Sequence, residues 1–134
     1  MSKKSSTSNS DLGLLVFRIL SGSALFFGHG LPKLLNFSIL TTKFPDELGV
    51  GSVVGLCLAL ALELFGSLAV ILGFSTRLVS SILAVALFLS TFYFHWQFPW
   101  TQKESPFLFA SAFLALAITG PGRFSVDSAK KKKS

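Results

Sequence analysis

Four apolar runs, Leu12–Leu35, Val50–Gly73, Leu78–Trp96 and Pro106–Thr119, take up most of this 134-residue chain, and the first two enclose Arg18 and Glu63 far from other charges. At 1.5 Å of rise per residue, ~20 apolar residues cross a ~30 Å hydrocarbon layer. Runs of this length leave little choice of fold. Ionisable side chains inside them are costly, so they face a protein interior, pair with each other, or serve transport or redox chemistry. With 51% hydrophobic and only 13% charged residues, the chain does not read as a soluble domain.

The expected fold is all-α: an integral membrane, antiparallel four-helix bundle spanning residues 12–127. A tail over 1–11 precedes it and a basic tail over 128–134 follows. Met1–Ser10 has two lysines ahead of polar residues, and the apolar run after it lacks a small-residue cleavage site. It reads as a retained tail. The fourth run is short for a full span, and extends through Thr101–Ser105, starts in the interface or meets a thinned bilayer. Pro106 suits a first helical turn with Ser105 as its N-cap.

Lysine and arginine placement sets the expected orientation. Lys3, Lys4, Arg77, Arg123 and Lys130–Lys133 share one side, against Lys43 and Lys103 on the other, with Lys33 near that boundary. Both termini are therefore expected in the cytoplasm. Tyr93, Trp96 and Trp100 mark the opposite interface. The net charge of +6 lies in tails beside apolar spans, which points to anionic lipid rather than nucleic acid. Cys57 is the only cysteine, so an intramolecular disulfide, a C-x-x-C centre and a Cys-ligated iron–sulfur cluster are excluded within the chain.

Two polar constellations emerge from helical spacing. Arg18, Gly22, His29 and Lys33 fall on one stripe of the first span, and Gly55, Ala59, Glu63, Gly66, Val70 and Gly73 on one stripe of the second. Arg18 lies ~10 Å and Glu63 ~15 Å from the same side, which predicts an Arg18–Glu63 pair. Such a pair either fixes helix register or lets Glu63 bind a polar headgroup or move a proton. At the opposite end His29 and His95 share a depth of ~27 Å, with Lys33, Glu104 and Trp96 nearby. That group is suited to proton exchange near neutral pH; interface histidines without a role are the simpler reading. No HxxH or ExxH spacing occurs, so no metal is expected. Gly28-His29-Gly30 lacks the strand context of a phosphate loop, and Gly120-Pro121-Gly122-Arg123 reads as a helix-ending turn.

These residues resemble the DoxX family of small membrane proteins. The carriers are Arg18, Gly28-His29-Gly30-Leu31-Pro32-Lys33, Glu63-Leu64-Phe65-Gly66, Leu72-Gly73-Phe74-Ser75-Thr76-Arg77 and Gly120-Pro121-Gly122-Arg123-Phe124-Ser125-Val126-Asp127, in the family's order over nearly Leu12–Asp127. The resemblance implies a four-span bacterial or archaeal inner-membrane protein, labelled an oxidoreductase or a subunit of one. Family members are linked to thiosulfate:quinone oxidoreduction and to oxidative-stress defence. It implies a quinone entering from lipid and possible redox partner proteins, with no covalently bound cofactor and no self-contained cofactor motif. Glu63, His29 and His95 are then the proton-handling candidates. Arg18, Lys33, Arg77 and Arg123 are the substrate-binding candidates, a thiosulfate dianion needing a cation such as Lys33, Arg77 or Arg123. A scaffold that recruits redox proteins and a small-solute or proton carrier are the alternatives. A chain this small also invites homo-oligomers.

Overall fold

The computed structural model describes residues 8–46 and 48–133, and the predicted tail cations Lys3 and Lys4 lie outside the described residues. Helix α1 (Asn9–Leu35) leads into a short α2 (Phe37–Lys43), followed by α3 (Ser52–Leu72), α4 (Thr76–Phe94), α5 (Trp100–Thr119) and α6 (Val126–Lys133). Three of the described helices, α1, α3 and α4, are long and apolar enough to cross a membrane. α5 begins at Trp100, so of the expected alternatives the fourth run takes the extension through Thr101–Ser105, and Pro106 lies inside the helix rather than in its first turn. Ser105 is accordingly a helical residue and no N-cap. Residues 128–133 of the predicted basic tail are helical, as the C-terminal part of α6.

The interior is polar in places and the surface is apolar, the inverse of a water-soluble protein. Arg18, Ser67, Thr76, Ser80 and Thr91 are buried beside Leu25, Val70, Leu83, Phe113 and Leu116, while Leu20, Phe27, Phe65, Leu78 and Ile118 are exposed. An outward apolar surface on helices of this length suits lipid, where burial inside the protein is not needed to keep hydrocarbon from water. α1 packs on α3 and, less extensively, on α5, while α4 packs on α5 and touches α3.

Each long apolar helix contains one π-helical turn: Phe26–Gly30 in α1, Ala61–Gly66 in α3 and Ser90–Phe94 in α4. A π-turn inserts one residue into the helical repeat and so rotates every later side chain. In α1 the buried positions run Arg18, Gly22, Leu25 and then Gly30, a five-residue last step. Gly30 thus takes the place facing α3 that a regular helix gives to His29. A Cβ there would lie 2.8 Å from the Leu64 side chain.

At the other end, the chain is fastened by side chains that serve helix termini. Ser8 caps α1, its Oγ accepting from the Asp11 amide at 3.1 Å. α3 stops at Gly73, whose φ of 74° places it in the left-handed region, and the next turn holds Ser75 at φ 46°. Asp127 spans this break. Its carboxylate accepts from the Ser75 and Thr76 amides at 2.7 and 2.8 Å, and its own amide donates to Gly73 at 3.0 Å. It thereby satisfies the first amides of α4 from a residue about fifty positions away in sequence.

Gly22 offers a direct test of the α1–α3 contact. A Cβ on it would meet Ile71 Cγ1 at 2.6 Å and the Ser67 carbonyl at 3.0 Å, whereas one on Gly13 would meet nothing within 4 Å. Gly22→Val is expected to destabilise the protein by about 1–3 kcal/mol and Gly13→Val to leave it unchanged, as read from thermal unfolding in detergent.

Candidate functional site

Arg18 is wholly buried. Its guanidinium does not reach Glu63: Nη1 donates to the carbonyls of Val70 at 3.3 Å and Ile71 at 3.0 Å, and Nη2 to that of Phe124. The predicted Arg18–Glu63 pair is thus corrected. The last carbonyls of α3 have no partner within their own helix and carry the negative end of its dipole, so they receive the cation at its own level. Asp127 provides the nearby full countercharge. Among the described residues, Arg18 Nε has no hydrogen-bond partner, nor do the buried hydroxyls of Thr76 and Ser80.

Glu63 is met instead by Lys33, whose Nζ donates to Oε1 at 2.9 Å and Oε2 at 2.7 Å. The two side chains are 25% and 14% exposed, respectively, so the pair is screened more than a fully buried one but less than a surface bridge. Sequence reasoning set Lys33 near the far boundary. Its flexible stem brings the charge back to the depth of Glu63, as long cationic side chains do in membranes.

His29 faces α5, where its Nε2 lies 3.2 Å from Ser105 Oγ and its ring stands edge-on to Phe109 at 5.2 Å between centroids. It also feels the charges of both Lys33 and Glu63. One constellation therefore joins His29 and Lys33 of α1, Glu63 of α3 and Ser105 of α5, and both His29 and Glu63 sit within π-turns. Such turns are frequent at functional sites, because they aim side chains where a regular helix would not.

The remaining candidates serve elsewhere. His95 ends α4: its Nδ1 lies 2.6 Å from the Ser90 carbonyl and 3.2 Å from Ser90 Oγ, and its ring tilts over Phe98. It bonds within its own segment and makes no hydrogen bond to His29. Glu104, on α5, is exposed and the carboxylate in the constellation is Glu63. Arg77 closes α5 by donating to the carbonyls of Ala117, Ile118 and Thr119 at 3.3, 2.8 and 3.4 Å. The Arg123 amide donates to Asp11 Oδ1 at 3.1 Å. Among the described residues no group of His, Cys, Asp or Glu could hold a metal. Ser105 and Asp127 were missed as site and cap residues, since neither carries a spacing signal that reaches across helices.

Apolar-faced helices around polar interior residues define a small helical integral membrane protein with an ionised pair among its spans. The chain belongs to the DoxX family, whose model matches residues 13–96. That match takes in Arg18, His29, Lys33, Glu63, Arg77 and His95 and ends before α5. The chain is similar to Inner membrane protein YqjF of Escherichia coli (strain K12), at 35% identity over 127 residues, 92% of this chain and 95% of that protein. It is also similar to Putative oxidoreductase CatD of Bacillus subtilis (strain 168), at 29% identity over 118 residues, 87% of this chain and 86% of that one. No solved structure gives a significant match.

A double-variant cycle separates the two ion-pair assignments. Lys33→Met alone leaves a carboxylate uncompensated and is expected to cost about 1–3 kcal/mol, with Glu63→Gln added on top restoring part of it. Arg18→Ala is expected to cost more, because it strips three carbonyls at once. Adding Glu63→Gln to Arg18→Ala should restore nothing. Recovery in that second pair, measured by unfolding in detergent, would return Glu63 to Arg18.

Proposed function

We propose that this protein is a quinone-interacting subunit of a membrane redox complex in the inner membrane, with α1, α3, α4 and α5 as an antiparallel four-helix bundle and both termini in the cytoplasm. One observation carries the reading: a carboxylate only 14% exposed is held by Lys33 between helices, beside His29, at the level of two π-turns. The oxidoreductase label of the Bacillus subtilis relative favours redox chemistry over carriage.

The residues fit such a ligand. Two carbonyl oxygens on a flat ring call for donors, which Lys33, Ser105 and His29 provide, and for an aromatic wall such as Phe109. Phe27 and Phe65 are exposed on the apolar surface of the same two helices. Reduction of a quinone takes two electrons and two protons. Glu63 and His29 hold the protons at Oε and Nε2, with Lys33 as the partner of the carboxylate. The electrons come from a partner protein of the complex.

The test is purification from the native membrane into nanodiscs, with mass spectrometry of extracted quinones and co-purifying proteins. A retained quinone, lost in Glu63→Gln but kept in Lys43→Gln, is the expected result. Equal quinone in both variants removes Glu63 from the site, and a chain that brings neither quinone nor redox protein overturns the reading in favour of a scaffold or carrier.

A further inference from the structure

The end of the molecule opposite the Lys33–Glu63 pair carries an open cleft of about 590 Å³ between the start of α4, the loop after α5 and the beginning of α6. Three cations line it: Arg77, Arg123 and Lys131. Two carboxylates line it as well, but their oxygens are engaged within the fold. Asp127 accepts from the Ser75 and Thr76 amides, and Asp11 from the Arg123 amide and from Ser8 Oγ at 2.8 Å. Arg77 donates to carbonyls of α5, so among the cleft's lining residues three cations stand against two carboxylates.

The position of the cleft is as telling as its charge. It lies where α3 ends, α4 begins and α5 ends, the level of lipid headgroups for helices that cross the bilayer. Its rim includes Leu78, the first of an exposed ridge along α4 formed by Leu78, Ile82, Val85 and Leu89. Steps of four, three and four residues keep these on one face. A phosphate in the cleft would therefore have a hydrocarbon track leading from it. Lys130, one residue from Lys131, lies over the Phe74 ring at 4.3 Å and holds α6 against the same corner.

We propose that this cleft binds a phosphate-bearing anion, carried by an anionic phospholipid whose acyl chain lies along the Leu78–Leu89 ridge. The site is separate from the ion pair and does not depend on any redox role. Each cation near a membrane surface adds about fivefold to anionic-lipid affinity.

The experiment is native mass spectrometry of the full chain in neutral detergent, titrated with phosphatidylglycerol, phosphatidylcholine and inorganic phosphate. Phosphatidylglycerol is expected to bind at least about fivefold more tightly than phosphatidylcholine, with Lys131→Gln and Arg123→Gln each weakening it about fivefold. Lys43→Gln, on α2 at the far end, should change nothing. Displacement of the lipid by millimolar phosphate keeps the anion site and assigns it to a soluble anion; resistance to phosphate assigns it to the lipid. Equal binding of the two lipids overturns the proposal, as does unchanged phosphatidylglycerol binding in Lys131→Gln, a variant at an exposed position that leaves the helix caps intact.

Discussion

The three carbonyl bonds of Arg18 hold the rest of the structure in register. A buried guanidinium is tolerable only where its donors are taken up and a countercharge is close. Here the bare end of α3 supplies two acceptors, the loop after α5 a third, and Asp127 the nearby charge. One residue of α1 thus fixes where α3 stops and where the last loop returns. Each bond to a charged donor is worth about 1.5–3 kcal/mol, and losing the cation would expose several unsatisfied groups together.

Around that residue the same device is repeated with different partners. Arg77 takes the open carbonyls of α5, Asp127 the open amides of α4, and Asp11 the amide of Arg123. Helix ends near a bilayer need such partners, because the unpaired amides and carbonyls of a terminus are expensive away from water. Charges that look like a substrate site in the sequence are therefore largely occupied with backbone. Arg18 in particular is a structural cation, and its burial leaves it no face for a ligand.

The long helices were legible in the sequence because length and apolarity alone identify them: the runs from Leu12, Val50 and Leu78 became α1, α3 and α4 with ends shifted by a few residues. The start of α5 is open in the sequence between Pro106, which reads as a start signal, and an extension through Thr101–Ser105; the helix takes the extension, the missing amide of Pro106 being tolerated inside it. The polar pairing was not legible. A stripe drawn at 3.6 residues per turn put Arg18, His29 and Lys33 on one line, whereas the π-turn at Phe26–Gly30 gives Gly30 the inward place and turns His29 to Ser105. Which cation reaches Glu63 then depends on side-chain length and helix-end carbonyls, neither of which is visible in spacing.

A division of labour follows from the two ends. At the Arg18 end the charges of Arg18, Arg77 and Asp127 are matched to fixed backbone dipoles, an arrangement with little room to change. At the other end the charge of Glu63 is matched, among the described residues, by Lys33, a flexible side chain that has three donors and can release one oxygen without leaving the other. Both helices are locally unwound there, and the pair is partly accessible rather than sealed. A carboxylate that must gain and lose a proton needs a partner that can yield, and a backbone cap cannot. The contrast between a rigid arginine knot and a yielding lysine pair is what supports the proposed role of the Lys33–Glu63 end over the more densely charged one.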